Sequence, residues 1–336
     1  MIHRRKFLTT TTGILFAAGA SVWGANPSRH LRSLNLKRVE RSSSALGTRV
    51  SIGVLHPDQA LAEKGVAAAF GAIEEVERVL SIYRSDSELS QLNRSGRLDN
   101  PDPLLVKVLR QALRISDSSK GRFDITVQPL WSLYSRARKQ GRIPTDVEIK
   151  RARMKVDWRK IRVIDTLVVL ETEGAEITLN GIAQGLALDQ AKAALRRHGI
   201  EHALIDAGEI GGLGAKLDGS DWTVGIQHPR HEDAYISIAK LGGRSLATSG
   251  DYATPFSGDF TSHHIFDPKT GESPKEFSSV TIAAPTGMQA DALSTAVFVL
   301  GLDDGIRLIN SVENVDAFFV LKDGKTSMTE GFSKSG

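Results

Sequence analysis

The spacing of apolar residues along the chain predicts five helices. From residue 60 to residue 80, an alanine-rich stretch places Val66, Phe70 and Ile73 three or four positions apart, which puts them on one face of a helix. The same spacing predicts four further helices, over residues 104–115, 182–197, 290–300 and 303–311. The stretch from Arg142 to Val163 is rich in charge and poor in core residues, which is typical of a surface helix and its connector.

Short alternating or continuously apolar runs predict the strands. The sequence TRVSIGVL, which begins at Thr48, alternates as a strand with one buried face does. Further strands are predicted over residues 162–170, 176–179, 202–206, 222–227, 235–240, 280–284 and 317–321. Because strands and helices do not alternate regularly, the pattern predicts an α+β fold with antiparallel sheets flanked by helices. No repeat or break divides residues 43–333, which we predict to be a single domain.

The N-terminal sequence MIHRRKFLTTTTGILFAAGASVWGANP has the three parts of an export signal. Arg4, Arg5 and Lys6 precede an apolar stretch, and small residues suited to cleavage follow. The paired arginines resemble the twin-arginine signal, a route for proteins that fold before export. We therefore predict an export signal over residues 1–25, a linker arm over residues 26–42 and a periplasmic protein. The alternatives are a Sec signal or an uncleaved anchor, although a membrane span needs about 20 apolar residues.

Composition and charge exclude several classes of site and partner. The chain has no cysteine, so disulfides, thiolate catalysis and cysteine-ligated metals are excluded. The net charge is +4, and the basic residues of the export signal supply three of these charges. The mature chain would therefore be close to neutral, which argues against nucleic acid or an anionic membrane surface as partner. We also expect no stable membrane anchor after cleavage.

The segment QADALSTA carries the first candidate site. It places Asp291 and Thr295 four residues apart near the predicted start of a helix, hence on one face. A carboxylate and a hydroxyl are hard oxygen ligands of the kind that Mg²⁺ takes together with water and phosphate oxygens. The helix N-terminus would also favour phosphate oxygens. The alternative is that Asp291 only caps the helix or complements its dipole.

Two further segments carry candidate chemistry. In SHHIFDPKTG, Pro268 and Gly271 account for a turn that does not need His264, so this histidine is available to accept or orient a proton. In SIYRSDSELSQLN, Tyr83 directly follows a helix and is placed to stack on a flat ligand. Each residue has a structural alternative: a histidine that only packs at a strand start, and a tyrosine at the boundary of the core.

Eight segments of the chain together resemble the FAD:protein FMN transferase family, known as ApbE. In chain order they are LGTRVSI, SIYRSDSELSQLN, GRFDITVQPLW, ITLNGIAQGLALDQA, IDAGEIGGLG, SGDY, HHIFDPKTGESP and QADALSTAVFVLG. The resemblance spans most of the chain after the export signal and implies a single domain with an ApbE/T-fold-like architecture. It also implies a reaction: FAD is cleaved at its diphosphate, FMN is attached to a Thr or Ser hydroxyl of a target protein, and AMP leaves.

The resemblance further implies roles for single residues. Mg²⁺ would be held by the side chains of Asp291 and Thr295 and by the backbone carbonyl of Gly181. His264 matches a histidine that activates or orients the acceptor hydroxyl. The residues that would contact FAD or line its site are Leu46, Tyr83, Phe123, Asp124, Thr178, Gln184 and Ile265. The target would be a membrane-bound or periplasmic redox protein.

Three of these positions depart from the usual residues of the family. Thr178 stands where an aspartate commonly contacts the flavin nucleotide, Gln184 replaces a charged residue, and Leu46 replaces methionine. The version with Asn180, Gly181 and Gln184 is similar to the flavin transferases that accompany nitrous-oxide reductase maturation. The loss of charge near the diphosphate keeps two alternatives open: a catalytically silent FAD carrier, and a Mg²⁺-dependent FAD pyrophosphatase with water as acceptor.

Overall fold

The computed structural model describes residues 35–333. The predicted export signal and residues 26–34 of the predicted linker lie outside the described residues. Nine α-helices occur within residues 35–333: α1 Gln59–Leu80, α2 Glu88–Ser95, α3 Pro103–Ser118, α4 Gln128–Lys139, α5 Asp146–Arg153, α6 Ala183–Arg197, α7 Gly287–Leu300, α8 Leu302–Asn310 and α9 Glu330–Ser333. All five helices predicted from the apolar spacing are among them. None of the described helices has both the length and the apolar character needed to cross a bilayer.

The described residues form thirteen strands in three antiparallel sheets. In chain order they are β1 Lys37–Ala45, β2 Thr48–His56, β3 Arg97–Asp99, β4 Ile161–Ile164, β5 Leu167–Leu170, β6 His202–Asp206, β7 Ile210–Leu213, β8 Thr223–His228, β9 His231–Lys240, β10 Ser245–Gly250, β11 Phe277–Ala284, β12 Asp316–Leu321 and β13 Thr326–Met328. The main sheet has the order β1-β2-β6-β7-β10-β11-β12-β13. A small sheet has the order β3-β5-β4, and β8 and β9 form a two-stranded ribbon.

The main sheet is covered on both faces. Its strand β11 is buried along its whole length, which places β11 at the centre of the fold. Successive residues such as Leu204 and Ile205 join different hydrophobic clusters, as the two-residue period of a strand requires. One cluster includes the buried faces of α1, α6 and α7, and the other includes Trp222 and the inner residues of β8. The sheet therefore lies between a helical layer and the β8–β9 ribbon.

The first strand differs from the sequence prediction. Residues 37–42, which we assigned to the linker arm, form the first part of β1 and pair with β2. Most residues of β1 are exposed, because β1 is the edge strand of the main sheet. An exposed edge strand shows no alternation of apolar and polar residues, so the hydrophobic pattern gave no signal there.

Two further strand predictions were wrong in detail. Residues 162–170 do not form one strand but the hairpin of β4 and β5, which turns between Ile164 and Leu167. Residues 176–179 belong to no strand. There, the side chain of Asn93 takes the place of a neighbouring strand, because it accepts from the Ile177 N–H at 2.7 Å and donates to the Ile177 carbonyl at 2.8 Å. A side-chain partner of this kind cannot be inferred from periodicity.

Candidate active site

A cavity of about 550 Å³ collects the residues singled out by the sequence. Its walls come from the β1–β2 turn, the β8–β9 ribbon, β10, α6, α7 and the loop that follows β10. All eleven predicted site residues line it: Leu46, Tyr83, Phe123, Asp124, Thr178, Gly181, Gln184, His264, Ile265, Asp291 and Thr295. These residues are spread over 250 positions of the chain, from 46 to 295, so only the folded domain brings them together.

The N-terminal turns of α6 and α7 cap each other at one end of the cavity. Asp291 of α7 accepts a hydrogen bond from the backbone N–H of Gly185, in the first turn of α6, at 2.9 Å. Asp189 of α6 accepts from the N–H groups of Gly287 and Met288, in the first turn of α7, at 2.7 and 3.0 Å. Unpaired N–H groups of both helix starts are thereby satisfied. Asp291 therefore caps α6 and does not cap its own helix, α7. The structural alternative was that it caps its own helix.

This arrangement depends on glycine where the two helices meet. A Cβ atom at Gly185 would lie 2.1 Å from the carbonyl oxygen of Gly287, and a Cβ at Gly287 would lie 2.5 Å from the carbonyl oxygen of Gly185. Both distances are far below van der Waals contact, and the opposing atoms are backbone atoms that cannot rotate away. The close approach of α6 and α7 is thus possible only without side chains at this crossing.

Thr295 lies one turn beyond Asp291 and beside Gly181. A Cβ at Gly181 would lie 2.9 Å from the Thr295 Oγ1, so the missing side chain leaves a space next to this hydroxyl. Ser249 of β10 holds the hydroxyl in place, with 3.1 Å between the two oxygen atoms. The Ser249 Oγ also lies 2.8 Å from that of Ser294. A carboxylate, a hydroxyl and a backbone segment without a side chain therefore converge at this end of the cavity.

Two buried carboxyl groups give this end an unfavourable concentration of negative charge. Burial raises the pKa of Asp291 to about 7, and the charge of Asp189 adds to the rise. Burial also raises the pKa of Glu209 well above its usual range, and the charge of Asp291 adds to it. The Glu209 carboxylate accepts from the Thr248 N–H at 3.2 Å. A cation would relieve this repulsion. Because residues 35–333 contain no cluster of three or more acidic or histidine ligands, other ligands would be hydroxyl, carbonyl or substrate oxygens.

His263 and His264 are neighbours in the sequence but have different surroundings. His263 is fully buried and donates from Nε2 to the carbonyl of Pro274 at 3.0 Å. His264 lines the cavity, and its Nδ1 is buried without a hydrogen-bond partner among the described residues. Burial lowers the pKa of His264 to about 4, and His263 adds to the effect. The His264 ring is therefore neutral at pH 7 and able to accept a proton.

A buried ion cluster fixes the loop that carries His264. Asp251 is fully buried, and Arg230 from the β8–β9 turn donates to both of its carboxylate oxygens at 2.7 Å. Lys322 pairs with the same carboxylate and donates to the carbonyl of Phe260 at 2.7 Å. The Arg230 guanidinium also lies 4.3 Å from the centre of the Phe260 ring. The β8–β9 ribbon and the end of β12 are thereby tied to the loop before His264.

The residues predicted to contact a flavin lie on the wall and at the mouth of the cavity. Phe123 and Ile265 are buried in the wall. Tyr83 is 58% exposed, and its hydroxyl accepts a hydrogen bond from the Asn180 side chain at 3.3 Å. A half-exposed aromatic ring held beside an apolar wall suits the stacking of a planar ring system.

Asp124 has a structural role in addition to its place in the cavity wall. Its Oδ1 accepts from the N–H of Thr126 at 2.8 Å and from the Thr126 hydroxyl at 2.6 Å, while Oδ2 accepts from the N–H of Trp158 at 3.1 Å. Burial raises the pKa of this carboxyl to about 6, although these hydrogen bonds oppose the rise. Both oxygens thus hold the local backbone of the cavity wall.

Leu46 lines the cavity from the two-residue turn between β1 and β2. Both turn residues have positive φ, +54° at Leu46 and +74° at Gly47, as a type I′ hairpin turn requires. A leucine is rare in this conformation, but its N–H is satisfied by Glu77, whose Oε2 accepts it at 3.2 Å. The turn therefore holds residue 46 in place by its backbone, whichever side chain stands there.

The other two departures from the family pattern make local contacts. The Thr178 hydroxyl accepts from the N–H of Asn180 at 3.3 Å. The Gln184 side chain lies against Gly208, where a Cβ would be 2.8 Å from Gln184 Nε2. Neither contact involves a charged group, so these two positions add no charge to the cavity.

Reasoning from the sequence assigned no role to three residues that line the cavity: Glu209, Ser249 and Tyr252. All three lie within segments that carry the family resemblance. The usable signal for Glu209 was a carboxylate directly after Gly208, a glycine whose positive φ marks a turn. Tyr252 lies so close to Gly250 that a Cβ there would be 2.4 Å from its ring, so this glycine follows from the packing of the tyrosine.

Comparisons with known proteins show the family of the chain. The model of the ApbE family matches residues 46–319. The chain is 31% identical to the FAD:protein FMN transferase of Salmonella typhimurium over 271 residues, which covers 76% of this chain and 77% of that protein. It is 29% identical to the FAD:protein FMN transferase of Haemophilus influenzae over 318 residues, which covers 88% and 90% of the two chains.

Solved structures show the same architecture. The ApbE protein of Thermotoga maritima superposes with a TM-score of 0.79 at 28% identity, covering 89% of this chain and 99% of that chain. The flavin transferase ApbE of Vibrio cholerae gives a TM-score of 0.78 at 25% identity, covering 90% and 100%. The predicted α+β fold with antiparallel sheets is therefore confirmed.

Proposed function

Because this chain belongs to the ApbE family, we propose that it is an FMN transferase, which moves the FMN part of FAD to a hydroxyl group of another protein. The observation that carries the proposal is the convergence of all eleven predicted site residues on one cavity. The cavity combines a buried acidic end, a neutral histidine and a half-exposed tyrosine. These are the features that a diphosphate, an acceptor hydroxyl and a flavin ring would each use.

In the proposed reaction, the acceptor Thr or Ser oxygen forms a bond to the phosphorus of the FMN half. The bond from that phosphorus to the oxygen shared with AMP breaks, and AMP leaves with the electron pair of that bond. His264 takes the proton of the acceptor hydroxyl, since its ring is neutral at pH 7. Phosphoryl transfer of this kind depends mainly on alignment and on neutralisation of oxygen charge. The positive ends of α6 and α7 contribute to that neutralisation.

We further propose that Mg²⁺ binds at the acidic end of the cavity. Asp291, Thr295 and the carbonyl of Gly181 would hold it, and the space left by the missing side chain of Gly181 supports this ligand set. When bound, Mg²⁺ would act as a Lewis acid and template for diphosphate oxygens. The repulsion between Asp291 and Glu209 gives a cation at this place a favourable electrostatic environment.

The place of action and the target complete the proposal. We propose that residues 1–25 are a twin-arginine export signal ahead of a single transferase domain, and that the mature protein acts in the periplasm. The paired arginines and the weak apolar stretch support this assignment. We propose a membrane-bound or periplasmic redox protein as the target, and the Asn180, Gly181 and Gln184 variant supports a partner in nitrous-oxide reductase maturation.

One assay tests the function against its two alternatives. The purified protein is incubated with FAD, Mg²⁺ and a peptide that a related FAD:protein FMN transferase flavinylates. A fluorescent covalent peptide product with one AMP per FMN transferred is the expected result. Free FMN with AMP would identify a pyrophosphatase, and intact bound FAD would identify a carrier. The same peptide with its acceptor threonine replaced by alanine is the control and should stay unlabelled.

A further inference from the structure

Positive charge is concentrated in one segment of the chain. Residues 136–162 contain eleven Lys or Arg and three Asp or Glu, a net charge of +8, so the rest of the chain carries −4. Arg142 pairs with Glu148 and Arg159 pairs with Asp157. The other nine basic residues form no salt bridge with any residue between 35 and 333. The near-neutral charge predicted for the mature chain therefore hides a strongly basic region.

The outer surface of α5 combines this charge with exposed apolar side chains. Val147, Lys150, Arg151 and Met154 follow one another at helical spacing and lie on one face. Val147 is 69% exposed and Met154 is 70% exposed, and Ile143 just before the helix is 58% exposed. We name these five residues the α5 face. Single exposed apolar side chains are common, but a group of them surrounded by polar residues marks an interaction surface.

The opposite side of α5 anchors the helix next to the cavity. Ile149 is buried against Tyr134 and Phe266, and Phe266 directly follows Ile265 and itself lines the cavity. A Cβ at Gly271 would lie 2.7 Å from Ile149, so α5 also touches the turn that follows His264. The helix is fixed at its start by a capping box between Thr145 and Glu148. The α5 face is therefore held rigidly beside the wall of the active-site cavity.

We propose that the α5 face docks the protein reversibly on an anionic lipid bilayer. Basic side chains would lie at the level of the lipid headgroups, and the three apolar side chains would enter the boundary with the acyl chains. The inference does not depend on the transferase reaction. Net charge alone argued against an anionic membrane surface, whereas the local charge of the α5 face favours one. Charge attraction and a few apolar side chains give only reversible binding, so the α5 face is not a membrane anchor.

The composition of the α5 face favours lipid over other acidic partners. Surfaces that bind single-stranded nucleic acid interleave basic residues with aromatic side chains on which bases stack, and the α5 face has none. The centres of protein interfaces are enriched in aromatic residues, methionine and arginine and depleted of lysine. The α5 face shares Arg151 and Met154 with that composition, but it has no aromatic residue and includes Lys150. Protruding aliphatic and thioether side chains among basic ones are typical of interfacial membrane binding.

The test is vesicle co-sedimentation of the full chain with phosphatidylglycerol–phosphatidylethanolamine vesicles and with phosphatidylcholine vesicles. We expect binding to the anionic vesicles only, and a steep decrease as salt is raised. Lys150→Glu with Arg151→Glu should lower the partition coefficient at least about 25-fold, at roughly fivefold for each basic residue removed. Val147→Ser with Met154→Ser, which changes no charge, should lower it about tenfold.

A matched control separates the α5 face from charge in general. Lys107→Glu with Arg114→Glu makes the same change in charge on α3, whose described large apolar side chains are not exposed. This control should bind anionic vesicles nearly as well as the parent. Residues 1–34 are identical in every variant, so any contribution from them cancels in the comparison. Thermal unfolding and FMN transfer to a soluble peptide, both unchanged, would show that each variant is folded.

Three results would overturn the proposal. The first is equal binding of the parent to neutral and anionic vesicles. The second is unaltered binding of both α5-face variants, or an equal loss in the α3 control. The third is a parent that ignores vesicles while the α5-face variants lose transfer to a whole acceptor protein but keep transfer to a peptide. That last result would assign the α5 face to an acidic protein partner instead.

Discussion

The two ends of the cavity are built in different ways. The acidic end is made of regular structure: the first turns of α6 and α7 meet backbone to backbone at Gly185 and Gly287, and each helix caps the other. The histidine end is made of an irregular loop between β10 and β11. That loop is held by the side-chain charges of Arg230, Asp251 and Lys322.

The two ends of the cavity therefore differ in how far their atoms can move. At the acidic end, geometry is fixed by backbone atoms that no rotamer change can move, so the position of Asp291 is set by the helix crossing itself. At the histidine end, geometry is fixed by long side chains, which can adjust when an acceptor enters. A diphosphate needs one fixed geometry, whereas an acceptor segment of a second protein needs room to approach. The construction of each end matches the rigidity of its proposed ligand.

The largest effect is expected from Asp291→Ala. This change removes the only charged side chain in the proposed Mg²⁺ ligand set, so FMN transfer should fall by several orders of magnitude and Mg²⁺ affinity should fall with it. Asp189→Ala is the matched control, since Asp189 makes the reciprocal cap but does not line the cavity. Calorimetric Mg²⁺ titration and a fluorescence assay of transfer check both variants. Equal losses in the two variants would show that Asp291 acts only as a helix cap.

His264→Ala should lower transfer by about 10²–10⁴-fold, the usual contribution of a general base. Mg²⁺ affinity should stay at the parent value, because the change lies at the other end of the cavity. His263→Ala is a different kind of variant: it removes a fully buried ring and should lower stability. The measurements are the transfer rate, Mg²⁺ titration and thermal unfolding of each. If His264→Ala transfers FMN at the parent rate, His264 is not the proton acceptor.

Arg230→Ala tests the buried ion cluster that holds the loop between β10 and β11. The Asp251 carboxylate would stay buried with Lys322 as its remaining charged partner, so the free energy of unfolding should fall by about 3 kcal/mol. We take the low end of the usual range because the Arg230 side chain is 29% exposed. Arg142→Ala breaks a similar pair with Glu148 at the surface and should change little. Urea unfolding of both variants gives the comparison, and equal changes would contradict a structural role for the cluster.

Gly185→Ala tests the helix crossing. The added Cβ would meet the carbonyl oxygen of Gly287, so we expect a loss of about 1–3 kcal/mol in the free energy of unfolding. Gly71→Ala in α1 is the control, because Gly71 is exposed and a Cβ there meets nothing within 4 Å. That change should stabilise the protein by about 0.5–1 kcal/mol. Urea unfolding measures both changes in the free energy of unfolding. A loss in Gly185→Ala with a gain in Gly71→Ala would show that glycine is required at the crossing of α6 and α7.

The last effect concerns pH and is measured as a slope. Folding lowers the pKa of His264 from 6.5 to about 4, so between these values the unfolded chain binds more protons at this residue. Its contribution to stability is therefore complete above pH 6.5 and is lost as pH falls toward 4, by at most about 1.4 kcal/mol per pH unit. His264→Gln should flatten the dependence of unfolding free energy on pH in that window. An unchanged slope would mean that His264 is solvated in the folded protein.

The helices and strands that the sequence predicted were readable because burial imposes a period, whereas α4, β3, β7, β10 and β13 were not predicted. Every predicted helix forms, since a helix that packs on one side must repeat its apolar residues every three or four positions. The elements that differ have no such period. β1 is an exposed edge, and residues 176–179 depend on the side chain of Asn93. Residues 176–179 depend on a side chain 84 positions away in the sequence, whereas β1 pairs with the adjacent strand β2 but has no buried face that would show a period.

In the candidate site too, some features were readable from the sequence and others were not. Asp291 and Thr295 were found because a spacing of four places two ligands on one helical face. The partner of Asp291, the N–H of Gly185, could not be found, because it is a backbone group and 106 residues away. His264 was singled out from the sequence, and the structure adds that its Nδ1 is buried without a hydrogen-bond partner among the described residues, whereas His263 Nε2 donates to the carbonyl of Pro274. Residue types indicate chemistry, whereas the availability of an atom depends on the packing around it.

The reciprocal capping of α6 and α7 also determines when the acidic end of the cavity can form during synthesis of the chain. Its two hydrogen-bonded contacts join residues 106 and 98 positions apart. When α6 leaves the ribosome, Asp189 and the N–H of Gly185 exist, but nothing they bind has yet been made. Contacts this distant form only after a long loop has closed. A nascent chain that ends before α7 therefore lacks the proposed cation and diphosphate site, and binding of flavin in this cavity would report a domain whose last third has been translated and folded.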